Sequence, residues 1–160
     1  SPELMSLQPL KRNPSLQQLS HEHHDGLMLC FKIRQGIKAQ VDCRRISRYV
    51  NWFAGHHLDA HFLAEENQLL PMVANEPELV QRTISEHKRL RTFFNKDNLS
   101  ESELLTFANL LDDHIRFEER ILFQKIQELK SESEILNALQ QTGAAPVCEK
   151  WMDEFWLGKK

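Results

Sequence analysis

Residues 61–70, HFLAEENQLL, and residues 114–123, HIRFEERILF, share one pattern: histidine, three residues, two glutamates, two more residues, then two apolar positions. On a helix, positions four apart differ by only about 40° of rotation and one turn of rise. His61 and Glu65 therefore aim an imidazole and a carboxylate at one spot, and His114 and Glu118 do the same. In both stretches that face is the apolar one. Val50, Phe53 and His57 lead into His61 and Glu65, while Leu104, Phe107 and Leu111 lead into His114 and Glu118. A buried carboxylate without a partner is costly, and two that face each other raise each other's pKa unless cations lie between them. A pair of metal ions removes the conflict, because a glutamate can bridge two ions while imidazoles fill the outer positions. Ordinary helix-surface contacts, worth a few tenths of a kcal/mol each, would explain neither the duplication nor the apolar setting.

Helical periodicity extends outward from these two stretches. The Asn13-Pro14-Ser15 start signal and the steps Leu16, Leu19, His23/His24, Leu27, Phe31 and Arg34 predict helix A over Ser15 to Lys38. Helix B is expected from about Asp42 to Met72, with Pro71 at its close. Helix C opens at Asn75-Glu76-Pro77 with proline in the first turn, carries Leu79, Val80, Thr83, Ile84, His87, Leu90 and Phe94, and ends at Asn95 to Asn98. Ser100-x-x-Glu103 is a capping box that opens helix D. A short helix from Glu132 to Gln141 is expected next, stopped by Gly143-Ala144-Ala145-Pro146. The final segment, with Trp151, Phe155 and Trp156, is expected to fold back on the core and to offer a surface for a homodimer contact. The predicted fold is all-α: an antiparallel up-and-down four-helix bundle over about 15–130 with a short C-terminal helical extension over about 132–160, in a single domain.

The totals agree with this reading. The chain has 160 residues, 41% of them hydrophobic and 27% charged, which fits one soluble domain with a good core. A net charge of -3 without a basic stripe argues against nucleic acid as a partner, and no apolar run reaches membrane-spanning length. Three cysteines without a CxxC pair (Cys30, Cys43 and Cys148) and a polar opening segment point to a reducing, cytoplasmic setting.

Histidine also falls on the other two predicted helices: His21, His23 and His24 on A, and His87 within Glu86-His87-Lys88-Arg89-Leu90 on C. The order of His on A, His-x3-Glu on B, Glu-His-x2-Leu on C and His-x3-Glu-Glu on D resembles the hemerythrin family in its HHE cation-binding branch, over about Ser20 to Phe123. That resemblance implies a di-iron centre held by His24, His61, Glu65, His87, His114 and Glu118. Glu65 and Glu118 would bridge the ions beside an oxo or hydroxo group. His24 is preferred to His23 because His24-x2-Leu27 parallels His87-x2-Leu90. Oxygen-carrying members have a further histidine four positions before the helix C ligand, where this chain has Thr83, and His-x4-Asp on helix D. One coordination position is therefore left to water, to an exogenous ligand, or to His57, Glu86 or His23. Nitrogen and oxygen donors without thiolate suit iron or manganese better than structural zinc.

The function so implied is a non-haem di-iron protein that binds, senses or handles O2 or another small diatomic ligand. A di-iron oxidoreductase acting on peroxide or nitric oxide is the alternative. Ferritin-like oxidases use Glu-x2-His and single glutamates, so the imidazole-rich pattern here sits nearer the hemerythrin type. A metal-free helical interaction module is a third reading, and it leaves Glu65 and Glu118 without counterions. His57 fits a partner of a ligand, a replacement ligand or a packed core residue. Phe53, Phe107, Leu111, Ile115, Ile84 and Leu27 are candidates either for a small pocket or for plain core.

Overall fold

A computed structural model describes residues 11–139 and 150–158, and among them there is helix and no strand. The expected helix residues Gln140 and Gln141, the Gly143 to Pro146 stop and Cys148 lie outside the described residues.

Helix α1 (Pro14–Lys38) starts where the Asn13 side chain accepts from the Ser15 amide at 2.7 Å, with proline in the first turn. Gln40, in the left-handed region at φ 59°, turns the chain out of it. Asp42 then caps the Arg44 amide at 2.9 Å and opens a helical rod over 43–73. This rod is not uniform. Helix α2 (Cys43–Phe53) runs into a π-helical turn (Ala54–Leu58), then α3 (Asp59–Ala64), a second π turn (Glu65–Leu69) and a closing 3₁₀ turn (Leu70–Val73). Helix α4 (Pro77–Arg91) follows. Both arms of the Ser100/Glu103 box form, at 3.0 and 3.1 Å, and open α5 (Glu101–Phe117). That rod also passes through a π turn (Glu118–Leu122) before α6 (Phe123–Leu129). Ser131 and Glu134 repeat the reciprocal cap at the start of α7 (Glu132–Leu139).

The π turns at Glu65 and Glu118 each begin on the first glutamate of a repeated stretch. A π turn inserts one residue into the α register and is frequent at functional sites. After it, Leu69-Leu70 and Leu122-Phe123 are buried as adjacent pairs. A search for 3.6-residue periodicity cannot detect such an insertion.

Among the described residues, two apolar clusters fill the interior. One gathers Leu29, Ile33, Val50, Phe62, Leu90, Phe107 and Leu111 with others, and the second gathers Leu16, Leu19, Leu69, Val73, Leu122, Phe123 and Ile126. Along α1 the second cluster comes before the first. The order reverses in the rod 43–73, reverts in α4 (where Leu79 and Val80 pack on the second cluster before Leu90 joins the first), and reverses again over 101–129. Phe155 is fully buried in the first cluster against Tyr49, and Trp151 and Trp156 pack at its edge, so the terminal aromatics fold back.

Two expectations about inward faces are corrected. The buried line of α1 is Leu16, Leu19, His23, Gly26, Cys30 and Ile33, whereas Phe31 is 50% exposed and Leu27 is only partly buried. The reason is Gly26: a Cβ there would lie 2.8 Å from Ile115 Cδ1. Its missing side chain allows α1 to approach α5 closely, so glycine marks the inner face, Leu27 packs partly buried at the edge of the first cluster and Phe31 is turned outward. On α4, Thr83, His87 and Leu90 are buried but Ile84 is 47% exposed, and it does not line the cavity described below.

Candidate metal centre

At the level where one apolar cluster gives way to the other, six ionisable side chains are buried: His23, His61, Glu65, His87, His114 and Glu118. They form two overlapping groups. His23, His61, Glu65 and Glu118 make one; Glu65, His87, His114 and Glu118 make the other; and within each the donor atoms lie within 4.8 Å of one another. Glu65 and Glu118 belong to both.

Five of the expected site residues, His61, Glu65, His87, His114 and Glu118, come together. The sixth expectation, His24, is corrected: its side chain is exposed on α1 and lies in neither group, and His23 is turned inward in its place. The apparent parallel between Leu27 and Leu90 pointed the wrong way because Leu27 is not on the buried line. A signal for His23 was present in the sequence, since Leu16, Leu19, His23, Gly26 and Cys30 step at three and four residues once Gly26 is read as a contact point.

The histidines direct Nε2 inward. His23 Nε2 lies 2.8 Å from Glu118 Oε1 and 3.1 Å from His61 Nε2. His61 Nε2 is 3.2 Å from Glu65 Oε2, His87 Nε2 is 3.1 Å from Glu65 Oε1, and His114 Nε2 is 3.2 Å from Glu118 Oε1. Both oxygens of Glu65, one of Glu118, and the Nε2 atoms of His87 and His114 are buried without a well-aligned hydrogen bond. Such convergence of unsatisfied donor atoms is rare in a protein interior.

Each histidine places its Nδ1 on a glutamate: His23 on Glu119 at 2.7 Å, His61 on Glu22 at 2.7 Å, His87 on Glu66 at 2.6 Å and His114 on Glu86 at 2.7 Å. Burial raises the carboxyls of these outer glutamates, but hydrogen bonds from the histidines, joined by Arg91 at Glu66 and Arg82 at Glu86, hold all four below the usual range. An ionised carboxylate only accepts, so each Nδ1 carries the proton and Nε2 is left to face the centre. The sequence reading missed Glu22, Glu66 and Glu119 and weighed Glu86 only as a substitute ligand. All four are the immediate neighbours of inward-facing residues.

The electrostatics of the metal-free centre are those of a crowded ion cluster. Burial pushes His61 and His114 down, yet Glu65 and Glu118 outweigh it and hold them up, at about 9 and about 10. His23 is likewise held well above its ordinary value against burial, chiefly by its hydrogen bonds to Glu118 and Glu119. Burial and mutual repulsion would raise Glu65, but the His61 and His23 contacts keep it at about 2; Glu118 is also far below the usual range. Without metal, protons on the imidazoles serve as the countercharge to the two inner carboxylates. A metal ion takes that place by displacing protons.

Aromatic rings close the surroundings. Phe62 stacks on His87 with centroids 4.0 Å apart, and Phe123 stacks on His23 at 5.2 Å. On the α1 side a cavity of about 630 Å³ reaches His23, His61, His114 and Glu118 past Phe53, Leu58, Leu111 and Ile115. Phe53, Leu111 and Ile115 thus line it as one of the two readings expected, while Phe107 is core. His57 is in neither group and packs on the Phe53 ring at 4.9 Å, at the cavity wall. Thr83 is buried, its hydroxyl donating to the Leu79 carbonyl at 2.8 Å. Cys30 donates to the Ala108 carbonyl and burial pushes its thiol up to about 12, which makes it inert.

The family model described as the hemerythrin HHE cation binding domain matches residues 15–126. No match to the chain was found among curated proteins or among solved structures.

Proposed function

Because the chain belongs to the hemerythrin HHE cation-binding family, we propose that its buried histidines and glutamates hold two iron ions, and that the protein binds or handles O2 or a related small diatomic ligand there. The observation that carries this reading is the sharing of Glu65 and Glu118 between two four-residue groups. Each ion would have two imidazoles of its own, His23 with His61 and His87 with His114, and the two carboxylates would serve both ions. Imidazole and carboxylate donors suit iron, and the orphaned, converging donor atoms are what such ions would satisfy. When bound, the pair of ions supplies electrons and open coordination to a small ligand.

The chain's own residues do the rest. His23, not His24, completes the donor set. The Nδ1 contacts orient the rings, and Phe62 and Phe123 exclude water from their faces. The cavity that opens onto His23, His61, His114 and Glu118, walled by Phe53, Leu58, Leu111 and Ile115 together with polar residues such as Gln18, His21, Asp25 and His57, supports access of a small ligand to the centre. The reversing order of the two apolar clusters along successive rods supports an antiparallel four-helix bundle as the frame.

Iron-loaded protein tests the proposal directly. Two irons per chain, with ligand-to-metal absorption that bleaches on reduction and returns in air, is the expected result. Less than one metal per chain after reconstitution, with no such absorption, would overturn it. Two irons without a response to O2 but with a response to nitric oxide or peroxide would favour the oxidoreductase reading, for which the Thr83 position is the motivating observation: it supplies no imidazole.

A further inference from the structure

Each of the four helical rods that build the centre presents two adjacent residues with different tasks. One turns inward; its neighbour reaches across to a histidine of another rod. Glu22, beside His23 on α1, accepts from His61 on the rod 43–73. Glu66, beside Glu65 on that rod, accepts from His87 on α4. Glu86, beside His87, accepts from His114 on α5. Glu119, beside Glu118 in the rod 101–129, accepts from His23 on α1 and closes the circuit.

We propose that Glu22, Glu66, Glu86 and Glu119 form a closed positioning ring, in which every rod fixes the histidine of the next and none fixes its own. The inference rests on the metal-binding reading above for its purpose, but the ring itself is built from the chain's own contacts. Three features separate it from ordinary surface ion pairing. All four central histidines take part, all through Nδ1, and every contact spans two rods at 2.6–2.7 Å. Ordinary surface pairs join flexible ends in open solvent and contribute little; here the histidine of every pair is buried.

The ring has a physical consequence. An imidazole alone on a helix rotates about two side-chain bonds and exchanges tautomers. With Nδ1–H donated to a carboxylate, the tautomer and ring plane are both set, and Nε2 becomes a more basic donor aimed at the centre. Because each contact crosses between rods, the donor set is assembled only when all four rods are in place. Three ring members are themselves braced: Glu66 by Arg91 at 2.8 Å, Glu86 by Arg82 at 2.9 Å, and Glu119 by Ser20 at 2.9 Å and Arg12 at 3.4 Å. Glu22 is held by the neutral Gln18 amide at 3.0 Å and lines the cavity, so its arm is the most loosely anchored.

The test uses two readouts on the full chain. In metal-free protein with nitrogen-15-labelled histidine, four slowly exchanging Nδ1–H signals are expected by NMR, and Glu86→Gln should shift the His114 signal while leaving that of His61 in place. In zinc titrations, with zinc as a diamagnetic probe, Glu86→Ala should lower affinity about 10- to 100-fold and Glu86→Gln by less, since the amide keeps an acceptor oxygen. Glu22→Ala should fall at the low end of that range. The glutamine variant preserves shape and answers the question if the alanine variant does not fold. Unchanged His114 signals and unchanged zinc affinity in both Glu86 variants would overturn the ring. Wild-type protein that shows the four signals but takes up no metal would leave the ring standing and sink the metal reading instead.

Discussion

The apolar cluster around Phe107 and the polar layer around Glu65 and Glu118 are equally buried, yet they are held together differently. Leu104 and Phe107 are fully buried among other apolar side chains. Glu65 and Glu118 are just as inaccessible, but they depend on charge brought in from elsewhere, as protons on the four histidines or as cations. The first region is finished by folding; the second is finished by what it binds. Burial therefore says little about whether a region contributes stability, and the chemistry of the buried atoms decides.

Breaking the polar layer at its shared member should give the largest effect. Glu118→Ala removes a carboxylate common to both groups, and metal uptake should fall by more than the roughly 100-fold that loss of an outer partner brings, measured by zinc or iron titration. Removing one partner of a buried ionic cluster also costs about 3–5 kcal/mol, so denaturant unfolding of the metal-free variant should show a drop in that range. Phe107→Ala is the matching change in the apolar cluster. It should cost about 3–5 kcal/mol by cavity formation, while the folded variant keeps the wild-type metal count.

Chelation sharpens the contrast without changing an atom of the chain. At free metal about 100-fold above Kd, binding adds about 2.7 kcal/mol, and exhaustive chelation should remove that amount from wild type and almost none of it from Glu118→Ala. Gly36→Ala places a Cβ 2.8–2.9 Å from Phe155 and Ile46; overpacking there should cost about 1–3 kcal/mol with no change in metal uptake.

The mildest perturbation of the chain is pH, applied to the metal-free protein, because it changes only protons. His61 and His114 are held at about 9 and about 10, above the ordinary 6.5, so their contribution is full below about pH 6.5 and is lost as pH rises through 9 and 10. Glu65 is held at about 2, below the ordinary 4.5, so its contribution is present above about pH 4.5 and is lost as pH falls through 2. Stability should peak between these limits. Metal affinity should instead rise across the alkaline range, because protons must leave for metal to bind. A metal-free protein equally stable at pH 6 and pH 10 would contradict the charge arrangement described for the layer.

Much of this was legible in the chain. The duplicated His-x3-Glu-Glu stretches, the helix starts at Asn13 and Ser100, and the inward histidine of α4 follow from local spacing and capping chemistry, which a linear sequence carries in full. Spacing by itself aimed His61 with Glu65, and His114 with Glu118, at common spots on apolar helical faces, and the resemblance to the hemerythrin family added His87; the fold brings these five side chains together. Only the tertiary structure decided the sixth. His23 and His24 differ by about 100° on the helix, and the choice between them depends on Gly26 meeting Ile115 on another rod. It also decided that Glu22, Glu66, Glu86 and Glu119 each serve a histidine from a different rod, and that two π turns begin at Glu65 and Glu118. The glutamate–histidine contacts join residues 21 to 96 positions apart in the chain, where local periodicity holds no information and packing selects the rotation of each helix.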